Sequence, residues 1–320
     1  MDAGLLEKHK HQAQMLANRT KKKYRHLRKR FFKENIDVFR LYDWDIPEIR
    51  AVVDWYAGHL VIGEYTRKQS TPKWLPMMGE AVGRALDVSA EKIHLKERRY
   101  GASDGLRYQR IDHTDQFITV NERDLRFYVN PWDYVDTGLF SDHRDTRQMV
   151  RKGVAGRDLL NLFCYTGAFT LYAAKGGARS TVSVDRSRTA IAWARRNMDL
   201  NGLSSPNHSF FQAHAFDYLS KAKARQQMFD LAVVDPPSFY SIRNRQEHFD
   251  IAQDHPALLI AVAGVMRKGG IIFFSTNHQY FIPFLDELAV DRIEEITSQT
   301  IPEDYRHKRK KIHRCWKITV

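Results

Sequence analysis

The sequence predicts an α/β protein in which residues 130–320 form a Rossmann-like, doubly wound and mostly parallel sheet. A smaller α+β domain over 36–129 and a basic helical extension over 1–35 precede it. Three observations carry this prediction. After Asn130, short and almost wholly apolar runs alternate with helical stretches, the pattern of strands buried on both faces. Within that region, Leu159 to Asp185 reads as a strand, a glycine turn, an Ala-rich helix and a second strand closed by a carboxylate. From Leu5 to Asn35 there is no Gly or Pro in a background dense with Lys and Arg.

In chain order, Met15, Leu16, Arg19, Tyr24, Leu27, Phe31 and Phe32 recur at loosely helical spacing, which predicts one long amphipathic helix. Ile36 to Tyr42 and Leu60 to Tyr65 are strand-like, Trp74 to Leu86 has helical spacing, and Lys92 to Lys96 alternates. Phe117 to Val120 and Leu125 to Val129 flank Asn121–Asp124 as a hairpin. Further on, Ser187 to Asn201 reads as a helix with Ser187 at its N-cap. Phe229 to Val234 is a strand, Ile251 to Met266 a helix stopped by Gly269-Gly270, Ile271 to Phe274 a strand, and Ile312 to Val320 the last strand.

With 43% hydrophobic and 12% aromatic residues the chain carries a core. No apolar run reaches the ~18 residues of a membrane span, no leader is recognisable, and two cysteines argue against a disulfide framework, so the expected compartment is the cytoplasm. The net charge of +13 is concentrated at two places. Met1–Lys33 holds eleven Lys/Arg against two acids, and Arg306–Lys317 holds seven against none. Two basic clusters on a near-neutral body suit a polyanion, and nucleic acid is the expected partner. Arg98, Arg99, Gly101, Gly105, Arg107 and Arg110 form a Gly-punctuated basic loop that either touches RNA or is a plain connection.

In open α/β sheets ligands lie beyond the carboxyl ends of the strands, so the Tyr165–Phe169 turn and Asp185 should face one nucleoside-shaped pocket, with Asp185 placed for a ribose diol. A pyrophosphate needs G-x-G-x-x-G, whereas this turn carries only Gly167 beside bulky Tyr165 and Phe169. A phosphate-free nucleoside is favoured, and S-adenosylmethionine (SAM) fits. Asp235-Pro236-Pro237-Ser238-Phe239 follows an apolar strand directly; two prolines cannot continue a ladder, so they fix a rigid loop holding a carboxylate and an aromatic over the same sheet edge. D/N-P-P followed by an aromatic resembles the motif of methyltransferases acting on base nitrogens, here with Ser238 inserted.

The blocks Met15-Leu-Ala-Asn-Arg, Arg40-Leu-Tyr-Asp-Trp-Asp-Ile-Pro-Glu, Asp136-Thr-Gly-Leu-Phe-Ser-Asp-His-Arg, Asn161-Leu-Phe-Cys-Tyr-Thr-Gly, Gly177-Ala-Arg-Ser-Thr, Val184-Asp-Arg-Ser-Arg-Thr, Asp235-Pro-Pro-Ser-Phe, Phe273-Phe-Ser-Thr-Asn and Ile312-His-Arg-Cys-Trp, in this order, resemble the guanine-N7 (RlmK-type) half of the bifunctional bacterial 23S rRNA methyltransferases of the RlmKL type. The likeness runs from about residue 15 to the end; the guanine-N2 half has no counterpart, which implies a stand-alone version. The resemblance implies a class I SAM-dependent methyltransferase sheet, SAM as cofactor without a metal, and 23S rRNA or a pre-ribosomal particle as partner, with a separate guanine-N2 methyltransferase as a further candidate partner and no membrane. It places Asp142 and Arg144 at the methionine end of SAM. Where the family has an acid that accepts the adenine amino proton, this chain has His214, whose neutral ring offers one acceptor nitrogen.

The candidate cofactor contacts are therefore Asp142, Arg144, Phe163, Tyr165, Thr166, Gly167, Ala168, Phe169, Asp185, Arg186, Ser187, His214, Ala215 and Asp235. The candidate catalytic set is Asp235, Pro236, Pro237 and Phe239. Methylation at cytosine C5 requires a thiolate nucleophile, and no Cys follows the Phe274-Ser275-Thr276-Asn277 strand end where related enzymes carry one. The resemblance implies a 7-methylguanosine product; guanine N7 has an in-plane lone pair and no proton to lose, so positioning without a general base would suffice, and the residues by themselves leave N7 and N2 both open. Methylation of an exocyclic amine (guanine N2 or adenine N6) and a non-catalytic RNA-binding assembly factor are the alternatives.

Overall fold

The computed structural model describes residues 3–67, 70–99, 110–242, 247–307 and 310–320, which fall into two compact units, one ending at Thr137 and one beginning at Gly138. No helix among the described residues is long and apolar enough to cross a membrane.

In the first unit, helix α1 (Ala3–Lys33) buries Ala13, Leu16, Leu27 and Phe31 against a small sheet and turns its cations outward. Strands β1 (Val38–Asp43), β2 (Ala51–Tyr56) and β3 (His59–Thr66) are antiparallel; β4 (Ile93–Arg99) runs parallel to β3 after the crossover helix α2 (Trp74–Leu86). Gln12 accepts the indole N–H of Trp74 at 2.8 Å, tying α1 to α2. β2 carries Asp54, which breaks its apolar pattern in sequence; directly opposite on β1 stands Arg40, and the two form a buried ion pair at 2.8 Å. The hairpin β5 (Ile118–Glu122) and β6 (Leu125–Val129) completes the unit.

The second unit opens with α3 (Arg144–Gly153), and its central strands follow: β7 (Asp158–Leu162), β8 (Ser180–Asp185), β9 (His208–Gln212) and β10 (Phe229–Val234). Helices α4 (Ala168–Lys175), α5 (Arg188–Leu200) and α6 (Ala215–Ala224) alternate with them. Then come a hairpin of β11 (Phe239–Ile242) and β12 (Glu247–Asp250), helix α7 (Ile251–Ala263), β13 (Met266–Thr276), β14 (Arg292–Glu295), the single turn α8 (Thr297–Thr300) and β15 (Arg314–Thr319). The sheet order is β14-β15-β13-β10-β7-β8-β9; β13 to β9 are mutually parallel, and β15 is antiparallel to both its neighbours.

This is the doubly wound sheet that the alternating pattern predicts. From β7 the chain winds outward to β8 and β9, then returns to lay β10 on the other side of β7, which puts the switch point between β7 and β10. One expectation differs: α7 ends at Ala263, and Met266 already belongs to β13. Gly269-Gly270 does not stop a helix but lies in β13 where its pairing with β10 is irregular, with Gly269 in the left-handed region at φ +75°.

Candidate active site at the carboxyl edge of the sheet

Register brings the carboxyl ends of β7, β8, β10 and β13 to one edge: Leu162 pairs with Val184 and with Val234, and Val234 with Phe274. The next residues, Phe163, Asp185, Asp235 and Ser275, are therefore neighbours there. In the turn after β7, Phe163 (φ +54°), Tyr165 (φ +48°) and Gly167 (φ +80°) all adopt left-handed backbone. Two non-glycine residues held so in one turn are the kind of local strain that collects at ligand sites. Surrounding bonds over-determine the turn. Thr166 donates to Gly138 O at 2.6 Å, Asn197 of α5 donates to Thr166 O at 3.0 Å, and Gly167 N–H closes on Cys164 O at 2.8 Å. Ala168 and Phe169 begin α4, with Phe169 buried.

Asp185 receives the Tyr165 N–H on one carboxylate oxygen at 3.0 Å and the Ser187 N–H on the other at 2.8 Å. Each oxygen keeps a further lone pair, and the residue is half-buried, so its carboxylate is oriented by backbone yet can still accept from a diol. Burial raises its pKa, partly offset by those two N–H donors. Ser187 caps α5 through Ala190 N at 3.2 Å, as its position predicts, while Arg186 lies over the Tyr240 ring at 4.1 Å. His214, followed by Ala215 at the start of α6, meets the Tyr240 hydroxyl through Nε2 and lies parallel to Phe216. Tyr240 directly follows the Asp235-Pro-Pro-Ser-Phe239 block, but nothing in the sequence pairs it with His214, 26 positions away.

Asp235 receives the Ser275 hydroxyl at 2.6 Å, and Ser238 donates to Asn277 at 2.6 Å, so the Pro236-Pro237 loop is fastened at both ends to the end of β13. Its other oxygen faces His143 Nε2 at 3.5 Å, and the same nitrogen is 3.7 Å from Asp142. Asp142 in turn pairs with His313 at 3.0 Å, and His313 reaches the Thr300 hydroxyl at 3.0 Å. His143 and His313 stack at 4.3 Å and 10°. The ligand atoms of Asp142, His143 and His313 lie within 4.8 Å of one another. Imidazole coordinates in its ring plane, however, and an ion in the plane of one stacked ring would lie out of the plane of the other. The stack suits a hydrogen bond from His313 to Asp142, with His143 lying between the two carboxylates, better than a shared metal ion. Burial lowers the pKa of His143, and Asp235 and Asp142 offset this only partly; its Nδ1 is buried without a partner among the described residues.

Arg144 lies close by but is committed: it forms an ion pair with Asp304 at 2.6 Å, both side chains being almost fully buried. Phe239 starts β11, half-buried, with Pro236 buried below it. Cys164 and Cys315 are buried and burial pushes both thiols up, which leaves neither as a thiolate. Of the basic loop, Arg98 pairs with Asp136 at 3.5 Å, and Arg110 with Asp133 at 2.9 Å; Gly101, Gly105 and Arg107 lie outside the described residues. His143, His313 and Ser275 were not singled out from sequence, although each sits in one of the quoted blocks. Only the fold stacks His313 on His143 and bonds it to Asp142, 171 positions away in the chain.

A strand-ended carboxylate, a strained one-glycine turn and a proline-braced Asp235 on a parallel sheet define a SAM-dependent methyltransferase. The S-adenosylmethionine-dependent methyltransferase family model matches residues 45–298. A methyltransferase crystal structure complexed with SAH shares the fold at TM-score 0.76 and 21% identity, covering 96% of this chain and 81% of that one. A SAM-dependent methyltransferase from Agrobacterium tumefaciens shares it at TM-score 0.60 and 16% identity, covering 84% and 87%. Ribosomal RNA large subunit methyltransferase K of Neisseria meningitidis is 39% identical, covering 94% of this chain and 86% of that protein. Methyltransferase K/L of Magnetococcus marinus is 39% identical over 96% of this chain but only 43% of its own length. The chain belongs to the ribosomal RNA large subunit methyltransferase K family.

Proposed function

We propose that this enzyme methylates N7 of a guanine in 23S rRNA, giving 7-methylguanosine, and that it acts in the cytoplasm. The observation that carries the reading is Asp235, fixed by Ser275 and faced by His143 in a loop stiffened by two prolines, on the same sheet edge as Asp185. When bound, SAM supplies an electrophilic methyl group. Asp185 would hold the ribose hydroxyls; Phe163, Tyr165, Thr166, Gly167, Ala168 and Phe169 would line the nucleoside, with Arg186 and Ser187 at its rim. Asp142 would orient the methionine end, with Arg144 acting through its ion pair with Asp304, and His214 with Ala215 the adenine.

Guanine N7 needs no base to remove a proton, so orientation dominates, and fixed alignment is worth on the order of 7–11 kcal/mol. Asp235 accepts from the guanine amino or imino group and offsets the positive charge that the product ring acquires. Phe239 stacks on the base, which must leave its helix or loop to reach the edge. A separate guanine-N2 enzyme would act on its own nucleotide of the same RNA.

Incubation with isotopically labelled SAM and 23S rRNA, either naked or as pre-ribosomal particles, followed by nucleoside mass mapping, tests this. Label in 7-methylguanosine is expected. Label in N2-methylguanosine or N6-methyladenosine would overturn the N7 assignment, and no SAM binding by the folded protein would sink the enzyme reading.

A further inference from the structure

Beyond the end of β13 the chain displays three large apolar side chains within five residues: Tyr280 is 87% exposed, Ile282 66% and Phe284 59%. This is a built display rather than a loose loop. Between them Phe281 is buried, edge-on to Trp316 at 5.4 Å and to His255 at 4.6 Å. The backbone is pinned at both ends. Arg314 donates to Phe281 O at 2.8 Å, and Phe284 N–H donates to His255 Nε2 at 2.9 Å. His255 is itself fully buried, and its Nδ1 bonds to Ile251 O, an acceptor only, at 2.7 Å. Its one proton is therefore on Nδ1, and its one lone pair holds the Phe284 backbone.

We propose that Tyr280, Ile282 and Phe284 form a platform on which unpaired RNA bases flanking the methylated nucleotide stack; this rests on the RNA reading above. Two observations select that occupant. The platform is continuous with the base-holding loop: Ser238 of that loop bonds to Asn277, and Asn277 O receives Gln279 at 3.2 Å, immediately before Tyr280. The Gln279 amide also reaches Lys311 O at 3.0 Å, which brings Lys311 beside the aromatics; its ammonium and the Arg314 guanidinium share Glu295, and Asp286 and Glu287 lie a few residues on. Aromatic faces next to cations suit single-stranded RNA. A second protein copy fits poorly, because three such side chains offer roughly 400 Å² against the ~800 Å² per partner of a stable interface.

The test uses the full chain and a fluorescent 23S rRNA fragment containing the modified site, with Tyr280→Ala/Phe284→Ala and Tyr280→Trp variants. The double variant is expected to bind RNA at least tenfold more weakly by anisotropy and to raise KM for RNA similarly, with SAM affinity unchanged, while Tyr280→Trp retains binding. Unchanged RNA affinity overturns the platform. So does a change confined to oligomeric state in sedimentation, which would make the patch a protein contact. Because anisotropy reads binding without turnover, it decides the platform even if methyl transfer to RNA, the test of the broader reading, fails.

Discussion

Asp235 is held by the Ser275 hydroxyl at 2.6 Å and faced by the His143 imidazole at 3.5 Å, which leaves acceptor capacity on its carboxylate. Replacing it with Ala is expected to lower kcat by ~10²-fold or more, the scale seen when one preorganised polar group is lost from a reacting centre. RNA affinity should stay within a few-fold, because phosphate contacts elsewhere carry most of it. Single-turnover methyl transfer beside filter binding separates the two, and retained turnover would refute the assigned role. Asp235 and Asp185 could be picked out in sequence because each ends an apolar strand and so must emerge at the ligand edge. His143 and His313 could not, since an imidazole in a charged stretch signals nothing until the fold stacks it on another. Arg144 is a related case: expected at the methionine end of the cofactor, it is instead buried against Asp304, 160 positions away.

The elements most legible in sequence are β7, β8 and β10, whose apolar runs are long enough to exclude other readings. Those that escaped have physical reasons. β9 is an edge strand whose His208-Ser-Phe-Phe-Gln212 stretch is partly exposed and never buries both faces. α3 is mostly charged, yet buries Arg144 and Arg147. The unit that most constrains the site is the β7 turn into α4, and Gly167 is its hinge: a Cβ there would lie 2.9 Å from Ala194 Cβ and 3.4 Å from its Cα on α5. Gly177 has a similar φ of +82° with nothing within 4 Å. Gly177→Ala should thus cost only the left-handed strain, about 1 kcal/mol, whereas Gly167→Ala adds overpacking of about 1–3 kcal/mol. Gly167→Ala should also weaken SAM binding, as α4 must move away from α5. Urea denaturation and SAM titration calorimetry check this, and equal losses for the two variants would remove the packing argument.

At the scale of the whole molecule, buried histidines set the acid limit and surface charge sets the partner. Burial lowers the pKa of His59, His143, His208 and His255, and that of His94 to about 4. Between about pH 4 and 6.5 these rings take up protons in the unfolded chain but not in the folded one, so their contribution to stability falls as pH drops through 6.5. Asp37, Glu64 and Asp185, whose pKa burial raises, act in the opposite sense at the acid end. A lower urea midpoint at pH 5 than at pH 7.5 is expected, and an equal midpoint would show that these rings are not held neutral. Charge acts on a different observable. From Lys8 to Lys33 there is no acid, and Lys22, Arg25 and Lys29 fall on one exposed face of α1, opposite the buried Leu16, Leu27 and Phe31. Deleting α1 would strip the first unit of core residues as well as charge, so reversing those three cations to Glu is the cleaner test of RNA contact. If they neutralise phosphates, the slope of log affinity against log salt should become shallower by about 2–3, at 0.7–0.9 per contact. Thermal stability should change little, because the replaced groups touch only water. Fluorescence titrations of 23S rRNA fragments from 50 to 300 mM salt measure the slope. An unchanged slope would assign the stripe to solubility and leave the grip on RNA to the basic segment at Arg306–Lys317.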